Sequence, residues 1–170
     1  MTQTNTTITN AVKGTLAKEI MTKDVLTVYE GWSIKRLSDF FVKHEISGAP
    51  VIASDHALVG VVSITDIVRF ESLPQEDKVS LLADYVYPEF LGQNADKATL
   101  AELSNHADKN CTVNSIMTKQ VVSVDEESLL PEVARLMSQH KIRRIFVTKE
   151  GIITGVISTG NILAFLAKLD

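Results

Sequence analysis

The sequence predicts an α+β fold, sandwich-like in its α/β layering, built from two copies of one β-α-β-β-α unit. Three observations predict it. The tetrapeptide Ile20-Met21-Thr22-Lys23 returns 96 residues later as Ile116-Met117-Thr118-Lys119. The run Gly60-Val61-Val62-Ser63-Ile64-Thr65-Asp66-Ile67 returns 95 residues later as Gly155-Val156-Ile157-Ser158-Thr159-Gly160-Asn161-Ile162. Between these ends, each copy carries short β-branched runs around one amphipathic stretch of helical period.

Residues 1–15 lack periodicity and read as a flexible tail, with Ile8 and Val12 as candidates to dock. The first repeat spans residues 16–72. Its Leu16–Ile20 stretch is a plausible helical turn, and Val25–Val28 reads as a short strand. A helix is predicted over Ser33–His44, with Ile34, Leu37, Ser38 and Phe41 on one face. Strands follow at Ala49–Ala53 and Leu58–Ser63, joined by the polar loop Ser54-Asp55-His56, and a last helix runs from Thr65-Asp66 to about Glu71. The second repeat spans residues 112–170. There Val25, Val28, Glu30, His44, Ile46 and Val51 meet Val121, Val124, Glu126, His140, Ile142 and Val147, and the helix face becomes Leu130, Val133, Ala134 and Met137. It has one residue fewer near Glu150-Gly151, a hairpin loop where a deletion costs least.

Residues 73–111 read as a helical linker insert. Pro74-Gln75-Glu76-Asp77 is a helix start with early acids, followed by Val79, Leu82, Ala83 and Val86 at helical spacing. Tyr85, Tyr87 and Phe90 are chance apolar content, or a surface that packs over the body or on a second subunit.

At 170 residues the chain can bury a core without staples. A net charge of −4 argues against nucleic acid, which draws on a basic face. Lys141, Arg143 and Arg144 form a compact basic cluster: a solvated helix end or strand edge, or the right size for one phosphate. The single Cys111 cannot form an internal disulfide; it reads as a small semi-buried hydrophobe in a reducing compartment. No apolar run approaches the roughly 20 residues of a membrane span, and the start lacks a signal peptide, so the expectation is a cytoplasmic protein without membrane contact.

His56 and His106 have no ligand-spaced partners, so no metal site is expected. His44 and His140 fall at matching helix ends, where they favour the dipole, and Trp32 at a helix entry reads as a packing anchor. No nucleophile elbow, Walker loop or spaced acid pair is present, so the chain is expected not to be an enzyme and to require no cofactor.

The serine and acid of the closing motif leave two readings open. Ser63 and Asp66 can cap a helix, or both can face sugar hydroxyls lying against the turn. Two tandem units that open Ile-Met-Thr-Lys and close on a glycine-led strand with Ser, a polar residue and Ile resemble the CBS domain family. The resemblance covers about residues 16–71 and 112–169, as a stand-alone tandem pair, or Bateman module. It implies two repeats packed about a pseudo-two-fold axis, with two clefts between them that take adenosine-containing ligands, and a flat homodimer.

The resemblance also implies site residues. Ser63, Thr65 and Asp66 match the family's ribose-binding turn in full; Ser158 matches in the second copy, but Asn161 replaces the acid and removes the charge. As a simple helix cap, Asn161 is the more natural reading. The adenine side falls on Thr27, Ile46, Ser47, Gly48 and Ala49 in one copy and on Ser123, Ile142, Arg143, Arg144 and Ile145 in the other. In the family each adenine side serves the cleft of the opposite copy. Arg143 and Arg144 suit phosphate, whereas Phe146 departs from the family's frequent proline, kept as Pro50 in the first copy. The implied function is a regulatory module sensing AMP, ADP, ATP or S-adenosylmethionine and passing the signal to an unknown protein target. The alternative is a ligand-free structural or protein-interaction homodimer.

Overall fold

The computed structural model describes residues 10–83 and 110–169. Ile8, Tyr85, Val86, Tyr87, Phe90 and His106 lie outside the described residues. Residues 10–14, expected in a flexible tail, form a helical turn, and the buried Thr15 hydroxyl donates to Ala11 O at 2.8 Å.

The elements that follow are α1 (Ala17–Ile20), β1 (Val28–Tyr29), α2 (Ile34–His44), β2 (Gly48–Ile52), β3 (Leu58–Ser63), α3 (Ile64–Glu71) and α4 (Gln75–Ala83). After residue 110 come α5 (Val113–Ile116), β4 (Ser123–Asp125), α6 (Leu130–Gln139), β5 (Arg144–Lys149), β6 (Ile152–Ser158) and α7 (Thr159–Leu166). The β-α-β-β-α order thus occurs twice, giving two three-stranded sheets, β1-β2-β3 and β4-β5-β6. Val25, Leu26 and Thr27, predicted as strand, are not in it. The Val25 N–H turns back to Lys23 O at 2.8 Å, and ladder pairing starts only where Val28 and Tyr29 meet Val51 and Ile52 in parallel.

Helix α2 starts at Ser33, whose Oγ accepts from Arg36 N at 3.2 Å. It buries Leu37 and Phe41 against the first sheet's Val28, Ala49, Val51 and Val62, and Ile34 against Phe70 and Cys111. Its counterpart α6 buries Leu130, Val133 and Met137, the last two packed with Ile145, Val147 and Ile157. The apolar face is narrower than predicted: Ser38 is half-buried and spends its hydroxyl on Ile34 O at 2.9 Å, and Ala134 is exposed. Both helices end alike. Glu45 and Lys141 take left-handed φ of 53° and 54°, and Ile46 N and Ile142 N donate back to Phe41 O and Met137 O at 3.1 and 3.0 Å. This reversal aims the chain into β2 and β5.

The missing residue of the second copy is explained by its hairpin. Glu150 and Gly151 hold φ of 53° and 81°, the two-residue primed turn that suits a tight antiparallel pair. Trp32 does anchor the entry to α2: Phe40 meets its indole edge-on at 5.2 Å, and the Arg36 guanidinium lies 4.1 Å over the ring.

The described residues divide into two compact units that do not follow the repeat boundaries. One holds residues 27–55, 59–83 and 110–120, with the first sheet; the other holds 10–26, 56–58 and 121–169, with the second. The leader of each copy therefore packs in the unit of the other copy's sheet. Thr22 and Val156 exchange hydrogen bonds of 2.9 and 2.9 Å, and Val61 and Thr118 exchange bonds of 3.0 and 2.9 Å in the other unit. Among the described residues no helix is long and apolar enough to cross a membrane.

Candidate functional site

The glycine that opens each closing motif is a seat for methionine. A Cβ at Gly60 would collide with Met117 Sδ and lie 3.0 Å from its Cγ, and a Cβ at Gly155 would collide with Met21 Sδ and lie 2.8 Å from its Cγ. The two ends of the repeated motif are thus one joint. Each leader methionine fills the hollow left by a missing side chain on the other copy's sheet.

From that joint each strand runs into a turn. In the first, β3 ends at Ser63 in extended conformation, and Asp66 on the first turn of α3 reaches back. Asp66 Oδ2 accepts from Ser63 N at 2.8 Å and from Ser63 Oγ at 2.7 Å, while among the described residues Oδ1 meets only the exposed Arg69 guanidinium, at 3.4 Å. The Asp66 side chain is 11% exposed. The carboxylate therefore caps the helix with one oxygen and keeps acceptor capacity on the other. Thr65 beside it is exposed.

Ser47 and Gly48 lie against this same turn. Ile64 N donates to Ser47 O at 3.0 Å, and a Cβ on Gly48 would stand 3.1 Å from Val62 O. Thr27 and Ile46 are half-buried, whereas Ala49 is in the core and can offer a ligand only its backbone. Ile46 and Ser47 also line an apolar hollow of about 450 Å³ with Ser38, Phe41, Val42, Glu45, Ile64 and Ile67. Asp66 and Gly48 are not among its lining residues. Sequence reasoning missed this hollow, although its signal was present: Val42 and Ile64 are apolar residues off the core faces, 80% and 47% exposed.

The second turn differs. Asn161 Oδ1 accepts from Ser158 N at 2.9 Å and Ser158 Oγ at 2.6 Å, and Asn161 N donates to Ser158 Oγ at 3.2 Å, a complete capping box. Its amide nitrogen then donates to Ile20 O at 3.1 Å and Thr22 Oγ1 at 3.2 Å. Thr159 N donates to Arg143 O at 3.1 Å, and Arg144 pairs with Ser158 across the sheet. Lys141, Arg143, Arg144 and Ser123 are exposed, and Ile142 is half-buried. Ile145 is fully buried in the second core, so, like Ala49, it can offer a ligand only its backbone.

Cys111 is fully buried rather than semi-buried, against Ile34 and Phe70, and burial pushes its thiol up to about 11. Such a thiol is a poor nucleophile near neutral pH. Among the described residues, no cluster of three or more His, Cys, Asp or Glu side chains converges to hold a metal.

The family model for the CBS domain matches residues 17–72 and 113–168. The chain is 29% identical over 155 residues to the uncharacterized protein MJ1426 of Methanocaldococcus jannaschii, covering 89% of this chain and 90% of that one. It spans 24% to 61% of the length of several longer curated relatives. Among solved structures, CBSX2 in complex with AMP, a CBS-pair protein of Arabidopsis thaliana, matches with a TM-score of 0.66 at 22% identity, over 92% of this chain and 98% of that one. The CBS domain pair of MJ0100 in complex with 5′-methylthioadenosine and S-adenosyl-L-methionine matches with a TM-score of 0.59 at 22% identity, over 92% and 98%.

Proposed function

The chain belongs to the CBS domain family, and from that premise we propose that it is a regulatory module, not a catalyst, that senses an adenosine-containing ligand in the cytoplasm. The observation that carries this reading is the turn at Asp66. A recessed carboxylate with one oxygen nearly unused can accept hydrogen bonds from the two hydroxyls of a ribose, and such charge-assisted bonds are stronger than neutral ones. Ser47 and Gly48 lie against the same turn, Ser47 through its carbonyl and Gly48 through close backbone approach, and bring backbone groups to it. Binding of AMP by CBSX2, and of S-adenosyl-L-methionine and methylthioadenosine by MJ0100, supports the choice among AMP, ADP, ATP and S-adenosylmethionine. Arg143 and Arg144 are exposed and suit a phosphate. The ligand acts by binding one conformation better than another, and the shifted population is read by a protein target.

A thermal-shift titration tests this. The midpoint should rise with one of these four ligands and the rise should vanish in Asp66→Ala. Flat midpoints with all four, or an undiminished rise in Asp66→Ala, would sink the ribose-binding role.

A second reading is favoured by the apolar hollow and by the exposure of Val42, Ile64 and Val68 on α2 and α3. Such a surface suits a protein contact, a homodimer included. Under this reading the motif only caps helices, and Val42→Asp would change the mass measured by light scattering while nucleotides change nothing.

A further inference from the structure

We propose that Asn161 is a latch, not a ligand contact, and that each chain takes one nucleoside, at the Asp66 turn. The inference rests on the ligand-binding reading above. Its starting point is the likeness of the two units. In each, a leader Ile-Met-Thr lies beside the glycine-led strand with paired backbone bonds, through Thr22 and Val156 or Thr118 and Val61. In each, the leader methionine sits on the glycine. Against this matched frame the residue on the first turn of the helix differs, and so does what it does.

An amide has two acceptor lone pairs and two N–H donors. Asn161 uses all four: Oδ1 takes the Ser158 N–H and hydroxyl, and Nδ2 gives its hydrogens to Ile20 O and Thr22 Oγ1. The partners fix its orientation, because a backbone N–H on one side requires the oxygen and a carbonyl on the other requires the nitrogen. Nothing remains for a sugar diol, and binding one would break a bond that holds the leader. Asp66, at the equivalent position of the first copy, offers acceptors alone. Among the described residues its hydrogen bonds go to Ser63 and Arg69, so the carboxylate is left with capacity for a diol and ties down no leader.

The test exchanges the two residues and has one arm that needs no ligand. In Asn161→Asp, amide hydrogen exchange at Thr22 and Val156 should speed up about tenfold, as expected for loss of a half-buried hydrogen bond. In Asp66→Asn, which risks no loss of fold through charge repulsion, exchange at Thr118 and Val61 should slow. Unchanged exchange in both variants would overturn the latch. Calorimetric titration of the unaltered chain with AMP and with S-adenosylmethionine should give one ligand per chain, and none in Asp66→Asn. Two per chain would overturn the single-site claim. If neither ligand binds, the sensing function fails, and the exchange rates still decide whether Asn161 is a latch.

Discussion

Helices α3 and α7 hold the same place in the repeat, yet only α3 buries a side chain fully. Phe70 is 2% exposed, packed with Ile34 and Cys111 and bordered by Leu73 and Leu81 of the segment that follows. Lys78 of α4 reaches over its ring at 5.3 Å and donates to Glu71 O at 3.0 Å. The counterpart Phe165 is half-buried, α7 has no buried residue, and Leu163 and Leu166 are 66% and 44% exposed. Duplication copied the pattern of the helix but not its cover. The same apolar stripe is core where a following segment folds back on it, and surface where none of the described residues does.

The largest test of that difference is truncation of the two phenylalanines. Phe70→Ala should cost about 3–5 kcal/mol in chemical denaturation, and Phe165→Ala no more than about half of that. Equal costs would mean that α7 is covered as well as α3. The methionine seats, by contrast, should behave alike in the two copies. Gly155→Val and Gly60→Val should each cost about 1–3 kcal/mol by overpacking, and less in a Met21→Ala or Met117→Ala background respectively. A difference of several-fold between the two seats would end their equivalence.

The smallest effect concerns Cys111, which stands where the first copy has Thr15; each offers its carbonyl to the start of a long helix, Ile34 N at 3.2 Å and Leu130 N at 2.8 Å. Burial raises the thiol from its ordinary 9.0 to about 11. The unfolded chain therefore releases this proton first, and the stability contributed by the neutral thiol is present below pH 9 and lost as pH rises through 11. Melting temperature between pH 9 and 11 should fall more steeply for the native chain than for Cys111→Ala. Parallel slopes would place the thiol in contact with water.

Most elements were legible because their causes are local. The faces Ile34-Leu37-Phe41 and Leu130-Val133-Met137 follow from helical period, and the Glu150-Gly151 turn from a one-residue deletion. Ser63 with Asp66, and Ser158 with Asn161, were legible as a motif three residues apart. What could not be read is set by contacts far along the chain. Asn161 is 141 residues from Ile20, and no spacing rule joins them. The leader methionine (Met21, Met117) and the glycine (Gly60, Gly155) recurred in both copies, but recurrence alone did not say that Met21 touches Gly155. Val25–Thr27 has strand composition, and the turn at Lys23 overrides it. Ile145 was placed on the adenine side by the family resemblance alone, while its own side chain alternates inward with Val147.

The crossed leaders also bear on how such a chain can be divided. Cutting between the repeats would not yield two self-sufficient pieces: a fragment of residues 16–72 would keep Gly60 without Met117, and Met21 without Gly155. Two such fragments could satisfy both needs only by trading leaders with each other. The tandem protein is therefore equivalent to a reciprocally exchanged pair of half-length chains tied end to end. A nick within residues 84–109 would leave two polypeptides held together by that exchange.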